Sequence, residues 1–270
     1  STVTTASIES ISEITEGRAW FQLYHPAEER VTKDLLKRAE AAHCPVLVIL
    51  ADVPSFGYRP RDIRNGLSMP PKMTVSNILS AMKRPHWALN TLINGQPSFE
   101  ILKPYMQKNL NLNQLAKFMD ATFSGRLNED KIKRIRDLWK GKLVLKGAES
   151  IHDVEKAYQL GLDGVIISNH GGRQVDVGQA TIESLNTIVP LYKDKIKVMM
   201  DSGIRGGADV ARVMASGADF SFMGRTFMYG VSALGKKGGN HTIAMLKTQL
   251  TQVMEQMSCA EVNDLTKNLI

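Results

Sequence analysis

Short apolar, β-rich runs alternate with longer amphipathic stretches over most of this chain. Residues 21–24 have strand character, and residues 27–43 that follow them carry apolar side chains at helical spacing. Residues 46–51 are almost continuously apolar, as expected of a parallel strand that is covered on both faces. The alternation returns with predicted strands at 142–146, 164–168, 196–200 and 219–223, and with predicted helices at 149–160, 178–192 and 207–216. Six strand-helix units in series predict an α/β protein with a parallel sheet.

Polar and glycine-rich residues follow five of the predicted strands. They are Asp52, Lys146-Gly147, Ser168 to Gly172, Asp201 to Gly203, and Gly224-Arg225. In a (β/α)8 barrel the carboxyl ends of all the strands form one functional face, whereas a doubly wound sheet concentrates its site at one switch point. We therefore expect a (β/α)8 TIM barrel, formed by residues 1–270 as a single domain.

One long segment interrupts the alternation. Between Asp52 and Lys142 the pattern predicts no strand, only short helical pieces at 75–83, 113–119 and 129–139. This predicts a long βα-loop insertion at about 67–119, which contains six Lys or Arg residues against one acid and many interleaved apolar side chains. Two interpretations stay open: a peripheral contact with an anionic membrane surface, or a lid over the barrel with a solvated basic rim.

Composition and charge narrow the class of protein. The chain has 270 residues, 43% of them hydrophobic, and a formal net charge of +7, which is ordinary for a globular protein and favours anionic partners. Cys44 and Cys259 lie far apart without metal-ligand spacing, so neither a disulfide framework nor a metal site is expected. No apolar run of 18 residues and no signal-like leader occurs, which predicts a chain that is cytoplasmic or peripherally attached to a membrane. The basic residues are mixed with apolar ones and no recognition motif is present, so no nucleic-acid partner is expected.

The clearest chemical signal is the sequence SNHGGRQVD at residues 168–176. His170 comes directly after a predicted buried strand, and the two glycines beside it allow close approach of a ligand to the backbone. A lone histidine is usually structural. Arg173, however, can offer a bidentate fork to a carboxylate, which favours a binding or catalytic role for this strand end.

A second signal lies in the last two strand-helix units. The sequence DSGIRGG occupies residues 201–207, and Gly224-Arg225 follows the next predicted strand. The loops after the last two strands of a (β/α)8 barrel form its usual phosphate site, built from backbone N–H groups at a helix start. With Arg205 and Arg225 as charge-assisted donors, these loops predict a cofactor that carries a phosphate.

These motifs resemble one known family, the FMN-dependent L-2-hydroxy acid oxidases and dehydrogenases. The resemblance is carried by SNHGGRQVD (168–176), DSGIRGGADV (201–210) and MGRTFMYG (223–230), and continues through WFQLY (20–24), ADVPSFGYRPRDIRNG (51–66) and LKG (145–147). It extends over essentially the whole chain. The segment RDIRNGLSMPPK and the loop after it are most similar to the membrane-associated L-lactate dehydrogenases.

The resemblance implies roles for the residues that would meet the substrate. His170 matches the base that removes a proton from the substrate, and Asp52 matches the carboxylate that stabilises the resulting imidazolium. Arg173 and Arg59 match arginines of the substrate site, Arg173 holding the carboxylate. Tyr24 matches a tyrosine that hydrogen-bonds the substrate.

It also implies the contacts of the cofactor FMN. Lys146 matches a lysine that stabilises negative charge at the N1/O2 edge of the flavin. The other flavin contacts fall on Ser1, Gln22 and Ser168, the ribityl and phosphate-loop contacts on Asp201 and Gly203, and the phosphate end on Arg205, Gly224 and Arg225.

The expected function is FMN-dependent oxidation of an L-2-hydroxy acid, in the first place L-lactate to pyruvate. The electrons would pass to a quinone or another acceptor, and the protein would be a homo-oligomer, peripheral on the cytoplasmic face of the inner membrane. Three alternatives stay open: an oxidase that uses O2, a mandelate-type dehydrogenase, and a truncated, non-catalytic member of the family.

Two departures from the family pattern bear on these expectations. Leu50 stands where the family usually has a threonine that contacts the flavin, so one flavin hydrogen bond should be missing. Ser1 aligns with the end of the second barrel strand of the family. We therefore expect a barrel that lacks its first two strands in this chain and is completed by upstream residues or by another polypeptide.

Overall fold

The computed structural model of the protein describes residues 1–54, 59–66, 74–95, 97–107, 110, 112–123 and 126–268. The chain divides into two compact units, Ser1–Lys142 and Leu143–Ile270. Residues 55–58 of the ADVPSFGYRP motif and residues 67–73 at the start of the predicted insertion lie outside the described residues.

The first unit contains one pair of parallel strands and several helices. Its elements are α1 (Ile8–Thr15), β1 (Phe21–Leu23), α2 (Glu29–Ala41), β2 (Val46–Leu50), α3 (Pro60–Arg64), α4 (Val75–Met82), α5 (Pro85–Asn94), α6 (Leu112–Thr122) and α7 (Glu129–Leu138). Strand β1 pairs with β2 in register, with Gln22 opposite Val48. All five residues of β2 are buried, because the strand is covered on both faces, as its apolar sequence predicts.

The second unit contains a parallel sheet with helical crossovers. Its elements are β3 (Lys142–Ala148, which begins at the last residue of the first unit), α8 (Ile151–Gln159), β4 (Gly164–Ile167), α9 (Thr181–Tyr192), β5 (Lys197–Met200), α10 (Gly207–Ala215), β6 (Phe220–Ser221), α11 (Arg225–Leu234) and α12 (Gly238–Gln256). The strands pair in the order β3, β4, β5, β6, and each pair is parallel. The polar residues that follow β4 and β5 therefore lie at one edge of this sheet.

The predicted alternation is confirmed at all six strands. The described residues between β2 and β3 form helices and turns but no strand, which also agrees with the prediction. The sequence pattern missed α1, α3, α5, α11 and α12. Helix α12 shows the reason: among its 19 residues only Gly238, Thr242 and Leu246 are buried, so its apolar stripe is too weak to stand out.

The predicted insertion divides into two parts with different environments. Its second part packs into the first unit, where Leu102, Met119 and Phe123 form a buried cluster. Helices α4 and α5 contact each other but bury no side chain, and Leu92 remains 81% exposed. None of the helices in the described ranges is long and apolar enough to cross a bilayer.

Candidate active site

In the first unit, the predicted site residues lie on or just after β1 and β2. Gln22 is half-buried within β1, and Tyr24 follows the strand. Because Leu23 pairs with Ile49 in a parallel register, Tyr24 and Asp52 both lie beyond the carboxyl ends of their strands. Ser1 precedes Thr2, whose hydroxyl donates to the carbonyl of Gln22 at 3.0 Å and accepts the N–H of Tyr24 at 3.1 Å. The N-terminal residues are thereby bound along β1.

A small cavity lies beside Tyr24. The Tyr24 ring packs edge-on against Phe123, with centroids 5.9 Å apart, and Leu50 and His25 also line the cavity. Leu50 is buried and carries no hydrogen-bonding group, so it cannot replace the hydroxyl that the family pattern places there. His25 has a buried Nδ1 without a hydrogen-bond partner among the described residues. Burial, followed by the nearby charge of Lys131, lowers the pKa of His25 to about 4.

Arg59 lies at the start of α3, where it occupies the N-cap position. Its guanidinium is 4.0 Å from the carboxylate of Asp62, at the limit of an ion pair, and both side chains are partly exposed. The planar guanidinium of an arginine is a fork of N–H donors that suits an anionic ligand such as a carboxylate.

In the second unit, Lys146 connects two of the predicted cofactor residues. Its ammonium is 2.5 Å from the hydroxyl oxygen of Ser168 and 3.1 Å from a carboxylate oxygen of Asp201. Ser168 is completely buried, and Lys146 is only 9% exposed. A β-bulge at Gly147, where φ is +93°, interrupts the register of β3 directly after the lysine. The three side chains form one charged group at the carboxyl edge of the sheet.

His170 opens a tight turn with an unusual backbone. His170, Gly171 and Gly172 have φ values of +55°, +70° and +72°. Positive φ is rare for residues other than glycine, so the histidine is held in a conformation that its own backbone disfavours. Side chains of the surrounding loops must therefore stabilise this turn.

Three side-chain oxygens accept the three successive N–H groups of the turn. Ser168 Oγ accepts from His170 at 3.1 Å, and Asn169 Oδ1 accepts from Gly172 at 3.1 Å. The N–H of Gly171 donates to Ser202 Oγ at 3.0 Å. Each of these partly buried donors is thus satisfied by a side chain.

The two arginines of this region occupy different places. The Arg225 guanidinium donates to the carbonyl oxygen of Gly171 at 2.7 Å. Arg173 is exposed, immediately after the turn. The turn that presents His170 therefore has Arg225 on its backbone and Arg173 at its end.

The predicted phosphate loops have a shape that accepts a ligand. At Gly203 and at Gly224, a Cβ atom would meet nothing within 4 Å, and Gly203 has φ of +78°. Among the described residues no side chain caps α11, which begins after Gly224, so no side-chain cap occupies the amides of its first turn. Gly203 and Arg225 also line a cavity of about 430 Å³. This donor set fits a phosphate, because a helix N-terminus and an arginine both favour an anion.

The start of α10 is less available than the sequence suggests. A carboxylate oxygen of Asp209 accepts the N–H groups of Arg205 and Gly206 at 2.9 and 3.1 Å. Gln249 accepts the N–H of Gly207 at 2.8 Å. Side chains of the protein therefore already accept hydrogen bonds from these amides, whereas the N-terminus of α11 has no side-chain cap among the described residues.

Three residues that organise this region were given no role from the sequence: Asn169 and Ser202, which lie within the predicted polar motifs, and Thr181. Thr181 Oγ1 donates to the backbone carbonyl of Asp201 at 3.0 Å, and the other two accept from the turn. Asn169 carried a signal, since asparagine two positions before a glycine often caps a turn. Ser202 carried none, because its partner Gly171 is 31 residues away.

Comparison with known proteins gives related enzymes over the full chain. The FMN-dependent dehydrogenase family matches residues 1–270. The L-lactate dehydrogenase of Bartonella tribocorum is 34% identical over 267 residues, covering 98% of this chain and 70% of the relative. That of Actinobacillus pleuropneumoniae serotype 5b is 34% identical over 271 residues, covering 100% of this chain and 71% of the relative.

Solved structures show the same fold. A monotopic membrane protein, (S)-mandelate dehydrogenase, superposes with a TM-score of 0.90 at 30% identity, covering 98% of this chain and 69% of the other. A mandelate oxidase superposes with a TM-score of 0.77 at 29% identity, covering 98% and 66%. The similarity confirms the predicted class, an α/β fold of the (β/α)8 barrel type. Because the family matches all 270 residues and relatives are 34% identical over nearly the whole chain, the chain belongs to the FMN-dependent dehydrogenase family.

Proposed function

We propose that this protein oxidises an L-2-hydroxy acid with FMN as its cofactor, and that L-lactate, converted to pyruvate, is its substrate. The observation that carries the proposal is the contact of the Lys146 ammonium with both Ser168 and Asp201, beside the turn that presents His170. The L-lactate dehydrogenases at 34% identity support lactate as the substrate. A quinone or another acceptor takes the electrons onward.

The residues of the second unit divide the chemistry among them. His170 takes a proton from the substrate, and Arg173 binds the carboxylate through its planar fork. Lys146 stabilises negative charge on the flavin, with Ser168 and Asp201 orienting its ammonium. FMN, when bound, accepts the two electrons that leave the substrate, which no side chain can do.

The same proposal assigns the phosphate end and the first unit. Gly203, Arg205, Gly224 and Arg225 hold the FMN phosphate, supported by the open space at both glycines and the uncapped start of α11. In the first unit, Ser1 and Gln22 contribute flavin contacts, and Tyr24, Asp52 and Arg59 contribute to substrate binding and to stabilising the protonated base. These last roles rest on the family resemblance, and the single-domain organisation of residues 1–270 stays a prediction.

A mandelate-type dehydrogenase is the second candidate. It is favoured by the TM-score of 0.90 with (S)-mandelate dehydrogenase. Lactate carries a methyl group where mandelate carries a phenyl ring, so the two differ in the apolar volume that the substrate pocket must supply.

We propose further that the protein is a homo-oligomer, peripheral on the cytoplasmic face of the inner membrane, with α4 and α5 as its membrane contact. Leu92, Val75 and Ile93 are 81%, 74% and 71% exposed, and Lys83 and Arg84 lie between the two helices. Exposed apolar residues beside basic ones are typical of a surface that binds anionic lipid. The monotopic membrane character of the mandelate dehydrogenase neighbour supports this location.

A substrate panel tests the proposed reaction. The protein is loaded with FMN and mixed, without oxygen, with L-lactate, D-lactate or (S)-mandelate, and bleaching of the flavin absorbance is followed. We expect the fastest bleaching with L-lactate and none with D-lactate. Faster bleaching with (S)-mandelate would replace lactate by the second candidate. Bound FMN that none of the three reduces would contradict the proposed function.

A further inference from the structure

Ser202 occupies a backbone position that disfavours serine. Its φ is +77°, in the left-handed region that glycine enters readily and other residues avoid. The adjacent Gly203 has nearly the same φ, +78°. A glycine at 202 would satisfy the loop geometry without strain, so what serine adds here is its hydroxyl group.

That hydroxyl links two loops. Ser202 Oγ donates to Asp201 Oδ1 at 2.8 Å and accepts the N–H of Gly171 at 3.0 Å. The other carboxylate oxygen of Asp201 lies 3.1 Å from the Lys146 ammonium. A continuous chain of polar contacts therefore runs from Lys146 through Asp201 and Ser202 to the turn.

A second chain starts from the same ammonium and reaches the same turn. Lys146 lies 2.5 Å from Ser168 Oγ, which accepts the N–H of His170 at 3.1 Å. The N–H groups of His170 and Gly171 are thus both connected to Lys146 through intervening side chains. Because this turn has positive φ at His170, it depends on such contacts to keep its conformation.

We propose that Ser202 is a positioning residue for His170: its hydroxyl connects the ion pair of Lys146 and Asp201 to the N–H of Gly171 and fixes the turn that presents the imidazole. The inference rests on the proposed function in taking His170 as the base. A base displaced by a fraction of an ångström loses much of its rate advantage, so the contact affects turnover more than substrate affinity.

Three variants distinguish the effect of losing the hydroxyl from the effect of relieving backbone strain. Ser202→Gly removes the hydroxyl and relieves the strain, whereas Ser202→Ala removes the hydroxyl and keeps the strain. Ser258→Gly is the matched control, since Ser258 also has positive φ, +54°, but is exposed and lies after α12, away from the turn. If serine merely filled the loop, Ser202→Gly would equal or exceed the parent protein.

We expect the rate of flavin reduction to fall about 10-fold or more in both Ser202 variants, with the KM for L-lactate and the FMN content nearly unchanged. Hydrogen exchange of the Gly171 amide, measured by NMR without substrate, should be at least about 10-fold faster in both variants and unchanged in Ser258→Gly.

The outcomes separate this inference from the proposed function. An unchanged Gly171 exchange rate would overturn the role of Ser202, whatever the substrate. Faster exchange with a full reduction rate would overturn it as well. If no 2-hydroxy acid reduces the FMN bound to the parent protein, the proposed function fails. The Gly171 exchange rate, which is measured without substrate, still decides whether Ser202 fixes the turn that presents His170.

Discussion

The guanidinium of Arg225 donates a hydrogen bond to the carbonyl oxygen of Gly171, 54 residues earlier in the chain and 2.7 Å away. Arg225 begins α11, at the proposed phosphate end, whereas Gly171 directly follows the proposed base His170. A single side chain therefore connects the loop assigned to the cofactor with the loop assigned to the substrate. A change at Gly171 should act through Arg225.

Gly171→Ala tests this connection, with Gly172→Ala as its matched control. Both glycines have positive φ, +70° and +72°, so both variants carry similar backbone strain. A Cβ at 171 would collide with the Arg225 guanidinium, whereas a Cβ at 172 would meet its nearest atom only at 3.5 Å, an ordinary contact. We expect flavin reduction to be slower in Gly171→Ala than in Gly172→Ala by about 10-fold or more. Equal rates would show that the contact does not affect catalysis.

Arg173 and Arg225 should fail in different ways when substituted. Arg173→Lys keeps the charge but loses the planar fork, so we expect a higher KM for the hydroxy acid and an unchanged FMN content. Arg225→Ala removes a charge-assisted donor, so we expect FMN to bind about 10-fold more weakly. Fluorescence titration with FMN and steady-state kinetics measure the two effects. If Arg173→Lys emptied the flavin site and Arg225→Ala spared it, the two assignments would be interchanged.

The helix pair α4 and α5 should account for any binding to lipid. Replacing both Lys83 and Arg84 by glutamine should weaken binding to anionic vesicles by about 30-fold, because each basic residue near such a surface contributes about 1 kcal/mol. Replacing Leu92 and Ile93 by serine should weaken the apolar component of vesicle binding, which persists at high salt. The exposed pair Lys236 and Lys237, in the second unit, is the control for loss of charge alone. Co-sedimentation that none of these changes alters would exclude the helix pair as the membrane contact.

The same segment shows where sequence reasoning stops. Leu92 and Leu102 both belong to the basic and apolar sequence of the predicted insertion, yet Leu92 is 81% exposed and Leu102 is completely buried. Helical spacing indicates an apolar face but not what covers it, and only tertiary packing distinguishes the two leucines. By contrast, β2 and β4 were predictable because a buried parallel strand is apolar throughout.

Some residues of the candidate site, but not the contacts that organise it, could be proposed from the sequence. His170 was proposed because its motif follows a strand. Lys146 was expected at the end of a strand but lies inside β3, where it contacts Ser168 and Asp201. The role of Ser202 as a hydrogen-bond acceptor for the turn could not be predicted, because its partner lies in a loop that is distant along the chain. Ser202 and Gly171 become neighbours only when β4 and β5 pair.

His25 should make the first unit less stable in mild acid. Its folded pKa of about 4 lies below the ordinary value of 6.5, so the unfolded chain binds a proton first as the pH falls. This contribution to stability is complete above about pH 6.5 and is lost towards pH 4. We expect a loss of about 1 to 2 kcal/mol, roughly half of what the full shift implies, because the ring is partly exposed.

Tryptophan fluorescence reports this unit selectively, since Trp20, Trp87 and Trp139 all lie within it. Urea unfolding is compared at about pH 7 and about pH 5, in the parent protein and in His25→Gln, which cannot take up the proton. His152→Gln, at an exposed histidine of α8, is the control. A pH dependence that His25→Gln leaves intact would assign the loss of stability to other groups.

The most direct test of the proposed chemistry is anaerobic reduction of bound FMN by L-lactate in the parent protein and in His170→Ala. Because the imidazole takes the substrate proton while other residues hold the cofactor, His170→Ala should keep its FMN and lose at least about 100-fold in the rate of flavin reduction. His152→Ala should keep the parent rate. Undiminished bleaching of the flavin by L-lactate in His170→Ala would contradict the account.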